Sequence, residues 1–245
     1  QYNYRQFIAI KENDETNLKV KKSMQEILNC EKAWKMYNNP SGIEIFQCDT
    51  NINSVYSDFS TAFYKDSILT FASIQPVGDS MKDYKSKIYQ INFFENNSEA
   101  ELFDETINKV DFDIANPHFS KDGKKMWFTV SESYQTGNTY IYSSEYVDNE
   151  WTEPQKLPDV INRPGYNFTH PFMLERENEN NILLFSSDQP GGEGGYDIYY
   201  VEVLPDDSWG VVRNLGRPIV EDKTLQNFLD TSSIINTPGN EITPF

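Results

Sequence analysis

A segment that begins Ile-Asn and ends on Phe occurs four times in the chain: INSVYSDFSTAF from Ile52, INKVDFDIANPHF from Ile107, INRPGYNFTHPF from Ile161 and INTPGNEITPF from Ile235. The first three copies recur with a period of about 54 residues, and the last interval is longer by about 20, which places an insertion at residues 221–234. Self-similarity at a fixed period restricts a chain to architectures built from stacked copies of one unit. The stretch after each of the first three copies repeats too. An apolar run comes next, SILTFAS from Ser67, KMWFTVS from Lys125 and ILLFSS from Ile182, and then another, KIYQINF from Lys87, TYIYSSEY from Thr139 and YDIYYVEV from Tyr196. The second and third copies close on WTEPQKLP from Trp151 and WGVVRNLG from Trp209. These runs are short, rich in β-branched and aromatic residues, and bounded by turn formers such as Lys121-Asp122-Gly123, so they read as strands.

Four strand-like runs per period predict a mainly β fold, a β-propeller of four-stranded antiparallel blades. The blades fall at about residues 52–106, 107–160 and 161–220, with the first strand of a fourth from about 235. A β-sandwich also uses many short strands but needs no period, whereas a propeller does, because each blade packs its face on the next. Three blades leave open sheet edges, and rings close with roughly 4 to 8, so the chain is expected to continue past Phe245.

Ahead of the repeats, residues 17–37 carry apolar side chains at Val20, Met24, Ile27, Leu28, Trp34 and Tyr37, mostly on one helical face and interrupted by Glu31. The run Asn38-Asn39-Pro40-Ser41-Gly42 stops that helix, so residues 1–40 are expected to be a helical segment and 41–245 the partial propeller. The 38 Asp and Glu against 21 Lys and Arg give a net charge of −17, which argues against nucleic acid and against anionic lipid as direct partners. No run approaches the roughly 20 apolar residues of a membrane span. The two cysteines, Cys30 and Cys48, are compatible with a disulfide or with free thiols.

Several features invite a chemical reading. The loop DQPGGEGGYD places Asp188, Glu193 and Asp197 around four glycines, Gly191, Gly192, Gly194 and Gly195; these acids could gather round Ca²⁺, but the spacing is not that of an EF-hand, and a glycine-rich hairpin explains the loop without a ligand. His118 and His170 both fall in the first strand of a blade, where they could line a channel near each other, yet two imidazoles without a third ligand make a poor zinc site. The recurring Trp and Tyr residues point to packing between blades, with sugar stacking as the alternative. The turn from Ser120 to Gly123 is superficially similar to a sialidase Asp-box, but Trp127 is misplaced for one. The chain holds no Gly-x-Ser-x-Gly elbow, and no catalytic, cofactor-binding or metal residue is assigned.

The phrases HFSKDGKKMWFTVS from His118, SSDQPGGEGGYDIYYVEV from Ser186, WGVVRNLG from Trp209 and NTPGNEITPF from Asn236 stand in order and in register. Through them residues 52–245 resemble the TolB-like, WD-like propeller repeats of OmpA-family envelope proteins of Bacteroidetes, the PorE-like group among them. The resemblance implies a tetratricopeptide-like helical region before the propeller and, after it, a small β-sandwich and a peptidoglycan-binding OmpA-like domain. It implies a non-catalytic scaffold without cofactor, held in the periplasm at the outer membrane. There it would contact other proteins of a type IX secretion or gliding complex and reach peptidoglycan through a domain this chain does not contain. The alternatives are the propeller domain of a peptide or glycan hydrolase whose catalytic part lies elsewhere, and a carbohydrate-binding module.

Overall fold

In a computed structural model the described residues are 2–11, 18–39, 42, 44–76, 83–95, 97–109, 111–132, 137–216, 235–236 and 239–244. The insertion expected at residues 221–234 and Phe245 lie outside them. The chain divides into two compact units, Gln1–Gln47 and Cys48–Phe245.

The first unit holds two helices, α1 (Tyr2–Ile10) and α2 (Leu18–Asn38), packed on each other. The apolar face read from the sequence is only partly used: Val20 is fully buried, whereas Leu28, Trp34 and Tyr37 are exposed. Arg5 pairs with Glu31 at 3.0 Å, so the glutamate that interrupts the apolar face is held by a cation from α1. No helix among the described residues is long and apolar enough to cross a membrane.

The second unit is antiparallel β. Its first sheet runs β1 (Ser57–Tyr64), β2 (Ile68–Pro76), β3 (Tyr84–Asn92) and β4 (Glu101–Leu102), in that spatial order. A second comprises β5 (Asp113–Phe119), β6 (Lys125–Ser131), β7 (Thr139–Val147), β8 (Glu150–Trp151) and β9 (Gln155–Lys156), with β8 and β9 both paired to β7. The third is β10 (Phe168–Leu174), β11 (Ile182–Ser187), β12 (Asp197–Glu202) and β13 (Arg213–Asn214). In each, the first three strands form a meander whose neighbours in sequence are neighbours in space.

The three sheets correspond in register. A Phe–Tyr pair faces across the second and third strands of each: Phe71 opposite Tyr89, Phe128 opposite Tyr142 and Phe185 opposite Tyr199, with ring centroids 6.0, 6.4 and 6.1 Å apart. Cross-strand aromatic pairs are the local unit of sheet stability. The Phe128–Tyr142 face meets Ile88 and Tyr64 of the first sheet in one apolar cluster, and the Phe185–Tyr199 face meets Trp127 and Ile141 of the second in another. Successive sheets therefore bury the same face against the preceding neighbour. Trp151 and Trp209 follow the third strand in equivalent places, Trp151 opposite Tyr146 and Trp209 bridged to Val203, and both pack into these clusters.

The Ile-Asn pair that opens each repeat turns out to finish the sheet before it. Asn108 donates from Nδ2 to the Ile88 carbonyl at 2.8 Å and accepts the Ile88 amide at 2.9 Å. Asn162 does the same to Ile141 at 2.8 and 2.9 Å, and Asn236 to Ile198 at 2.9 and 2.8 Å. A carboxamide presents one donor and one acceptor side by side, as a peptide group does, so it extends the ladder past the two-residue fourth strand. Phe103, Leu157 and Leu215 add a backbone N–H to the same three carbonyls at 3.0, 3.0 and 2.9 Å. Ile107 and Ile161 are fully buried beside the clip, each contributing roughly 1.5 to 3 kcal/mol of apolar burial. In the first copy, with no sheet before it among the described residues, Asn53 donates to the Cys48 carbonyl instead, at 2.7 Å.

No strand forms at residues 235–236 and 239–244, where the sequence predicts the start of a fourth blade. That segment nevertheless lies along the third sheet. Glu241 donates its N–H to the Tyr196 carbonyl and Ser186 Oγ donates to the Ile242 carbonyl, at 2.8 and 2.7 Å.

Candidate functional site

The first strands of the three sheets are neighbours, with β5 in contact with both β1 and β10. Each carries one bulge, where the register with its partner strand breaks: between Phe59 and Ala62, between Ala115 and His118, and between Thr169 and Phe172. At each bulge one residue adopts a left-handed backbone, Ser60 at φ 54°, Asn116 at 55° and His170 at 51°. Pro117 and Pro171 follow two of them at no loss to the ladder, because a bulge leaves the missing N–H without a partner strand to serve.

The bulges correct one alignment drawn from the sequence. His118 pairs with Trp127 and Phe119 with Met126, whereas Phe172 pairs with Leu184 and Met173 with Leu183. Phe172 thus stands where His118 and Ala62 stand in the other strands, and Met173 takes the place of Phe119 and Phe63. Matching the copies on their terminal Phe slipped the third by one residue.

Together the bulged segments 60–63, 116–119 and 170–172 line a cleft of about 280 Å³. Its floor is a chain of hydrogen bonds that joins all three sheets. Asn116 donates from Nδ2 to Ser60 Oγ at 2.5 Å, and its Oδ1 accepts the Thr169 hydroxyl at 3.1 Å. Thr129 Oγ1 lies 3.3 Å from Thr169 Oγ1 and accepts the His170 amide at 3.2 Å. With its single proton given to Asn116, Thr169 Oγ1 can only accept from His170 Nδ1, 3.0 Å away. His170 therefore carries its proton on Nδ1 and leaves Nε2 as a bare acceptor. Burial drives its pKa down to about 4, so the ring is neutral.

The two histidines singled out in the sequence do meet in this cleft, but they serve different partners. His118 Nε2 lies 3.2 Å from the Met173 carbonyl, its ring meets that of Phe172 in a tilted arrangement with centroids 4.4 Å apart, and burial lowers its pKa. Among the described residues no three His, Cys, Asp or Glu are grouped to hold a metal ion. Two acids of the glycine-rich loop bond protein groups: Asp197 accepts the amides of Glu193 and Gly194 within the loop at 2.7 and 3.3 Å, and Asp188 accepts the backbone and side-chain N–H of Asn167 outside it, both at 2.7 Å. A Cβ on Gly192 would come within 1.5 Å of Asp197 Oδ2, which explains a glycine there without a ligand. In the turn at Ser120, Ser120 Oγ and the Lys124 amide both bond Asp122, at 2.7 and 3.0 Å, and the Lys121 amide donates to Glu175 at 2.8 Å. Cys30 and Cys48 are free thiols.

Nothing in the sequence singled out Ser60, Asn116 or Thr169. A polar residue directly before a strand proline, as at Asn116-Pro117 and His170-Pro171, was the available signal.

No family model and no curated protein matches the sequence. Solved structures that are similar include a puromycin-hydrolyzing peptidase of Mycobacterium tuberculosis, at 15% identity over 67% of this chain and 24% of that one, with a TM-score of 0.44. An alpha-L-arabinofuranosidase from Lactobacillus brevis is similar at 14% identity, over 67% of this chain and 54% of that one, with a TM-score of 0.45. The chain spans about a quarter of the first and about half of the second. At such scores the architecture rests on the sheets themselves.

Proposed function

We propose that the protein is a non-catalytic interaction scaffold of a bacterial cell envelope and that its three meanders are blades of a β-propeller. The observation that carries the reading is the Asn clip. Three successive sheets are each fastened by a residue of the following repeat, Asn108, Asn162 and Asn236 in turn, an arrangement suited to a stiff stack bearing loops in register. A stiff array with strongly acidic surface chemistry is suited to holding other proteins in fixed relation. The resemblance to OmpA-family envelope proteins supports a periplasmic location, associated with the outer membrane. Its partners would be components of a type IX secretion or gliding complex, with peptidoglycan reached through an OmpA-like domain outside this chain.

The test is cross-linking in living cells followed by purification of the full-length protein. Recovery of outer-membrane or periplasmic proteins in fixed stoichiometry is expected. Recovery of none from the envelope fraction sinks the scaffold reading. A hydrolase reading would instead be favoured by turnover of peptide or glycan substrates by the same full-length protein.

A further inference from the structure

The cleft differs from the rest of the surface in charge. The chain carries −17, yet the residues lining the cleft include no carboxylate, ammonium or guanidinium. What it offers is a fixed pattern of neutral groups. Among the described residues His170 Nε2 has no hydrogen-bond partner, and the ring is held in place by the bonds from Nδ1 to Thr169 and from its amide to Thr129. Ser60 and Thr61 bring hydroxyls. Phe63 stands 52% exposed at the edge and continues into a run of exposed rings, packed edge-on against Phe93 at 5.7 Å, which in turn meets Phe94 at 5.3 Å.

Three classes of occupant can be weighed against that pattern. A cation would be desolvated with no counter-charge, and an acidic group would meet neither a cation nor a favourable field. A purely apolar side chain would cover His170 Nε2 and leave it unpaired, at a cost that removes much of the gain from burial. An uncharged sugar meets both requirements, since its C–H face packs on an aromatic ring while its rim supplies hydroxyl donors. We propose that the cleft is a binding site for a neutral oligosaccharide, one ring giving a hydroxyl hydrogen bond to His170 Nε2 and packing on Phe63, with further rings following Phe93 and Phe94. The inference does not depend on the scaffold reading, because it concerns the inner strands alone.

Saturation-transfer NMR on the full chain would test it with a panel of neutral hexose, pentose and N-acetylhexosamine oligosaccharides, with glucuronic acid and an apolar capped peptide as comparisons. Two variants accompany it. His170→Asn suits the left-handed backbone, as Asn116 shows, but withdraws the acceptor, and Phe63→Leu removes the ring; circular dichroism checks that both fold. The expected result is transfer to at least one neutral oligosaccharide, weakened about tenfold by either substitution, with none to glucuronic acid. Absence of transfer to every neutral sugar from folded protein, transfer unchanged in both variants, or transfer to the peptide alone would each overturn the proposal.

Discussion

At the outer edge of each sheet the same residue makes the same bonds, while along the inner strands equivalent places hold different side chains. Asn108, Asn162 and Asn236 clip Ile88, Ile141 and Ile198 with matching distances. The left-handed place of the bulge, by contrast, is filled by Ser60, Asn116 and His170, and the place two residues on by Ala62, His118 and Phe172. The backbone is repeated at both edges, yet only the outer edge repeats its chemistry. Identity from copy to copy marks what the stack needs to form, and variation within a constant backbone marks where the copies are free to specialise.

That contrast can be broken by mutation. Asn162→Ala should have the largest effect, because Asn162 is 1% exposed and also donates to the Leu157 carbonyl, so the buried Ile141 amide loses its partner. A loss of about 3 kcal/mol in urea unfolding is expected, and a loss below about 1 kcal/mol would mean that the clip is incidental.

His170 sharpens the inner side of the comparison. Its folded pKa is depressed to about 4 from 6.5, so the unfolded chain binds the extra proton first. The stability it contributes is complete above pH 6.5 and is lost as pH falls toward 4. Wild type should lose about 2 kcal/mol more than His170→Gln across that window, allowing for the partial exposure of the ring. Parallel pH profiles would remove the neutral imidazole from the account of the cleft.

The smallest effect is expected at Asn116→Gly, about 1 kcal/mol, since glycine keeps the left-handed backbone and the partners Ser60 and Thr169 lie near the cleft and can turn to water. Its signature is spectroscopic. With Thr169 freed to donate, the ¹⁵N shifts of His170 should move away from a pure Nδ1–H tautomer, and unchanged shifts would sever the chain that joins the three sheets.

The strands were legible because their apolar runs and turn residues repeat, and KMWFTVS and ILLFSS coincide with β6 and β11 to the residue. The role of the Ile-Asn pair was not legible, because it acts on a backbone 20, 21 and 38 residues earlier in the three clips and periodicity carries no sign of that pairing. The one-residue slip at Phe172 has a similar origin, for a bulge changes which residue faces which partner without changing composition. In the cleft both histidines could be placed on inner strands from the sequence, but the network that fixes the tautomer of His170 passes through Ser60, Asn116, Thr129 and Thr169, polar residues with nothing local to distinguish them from ordinary strand residues.

Because the clip comes from the following copy, the piece of chain that repeats and the piece that becomes protected on folding are out of phase. The amide proton of Ile141 is shielded by a carboxamide that lies beyond its own sheet in the sequence, and that of Ile198 by Asn236. In hydrogen exchange these amides would report on their successor rather than on themselves, and local opening would be transmitted backwards along the chain, from each sheet to the one synthesised before it.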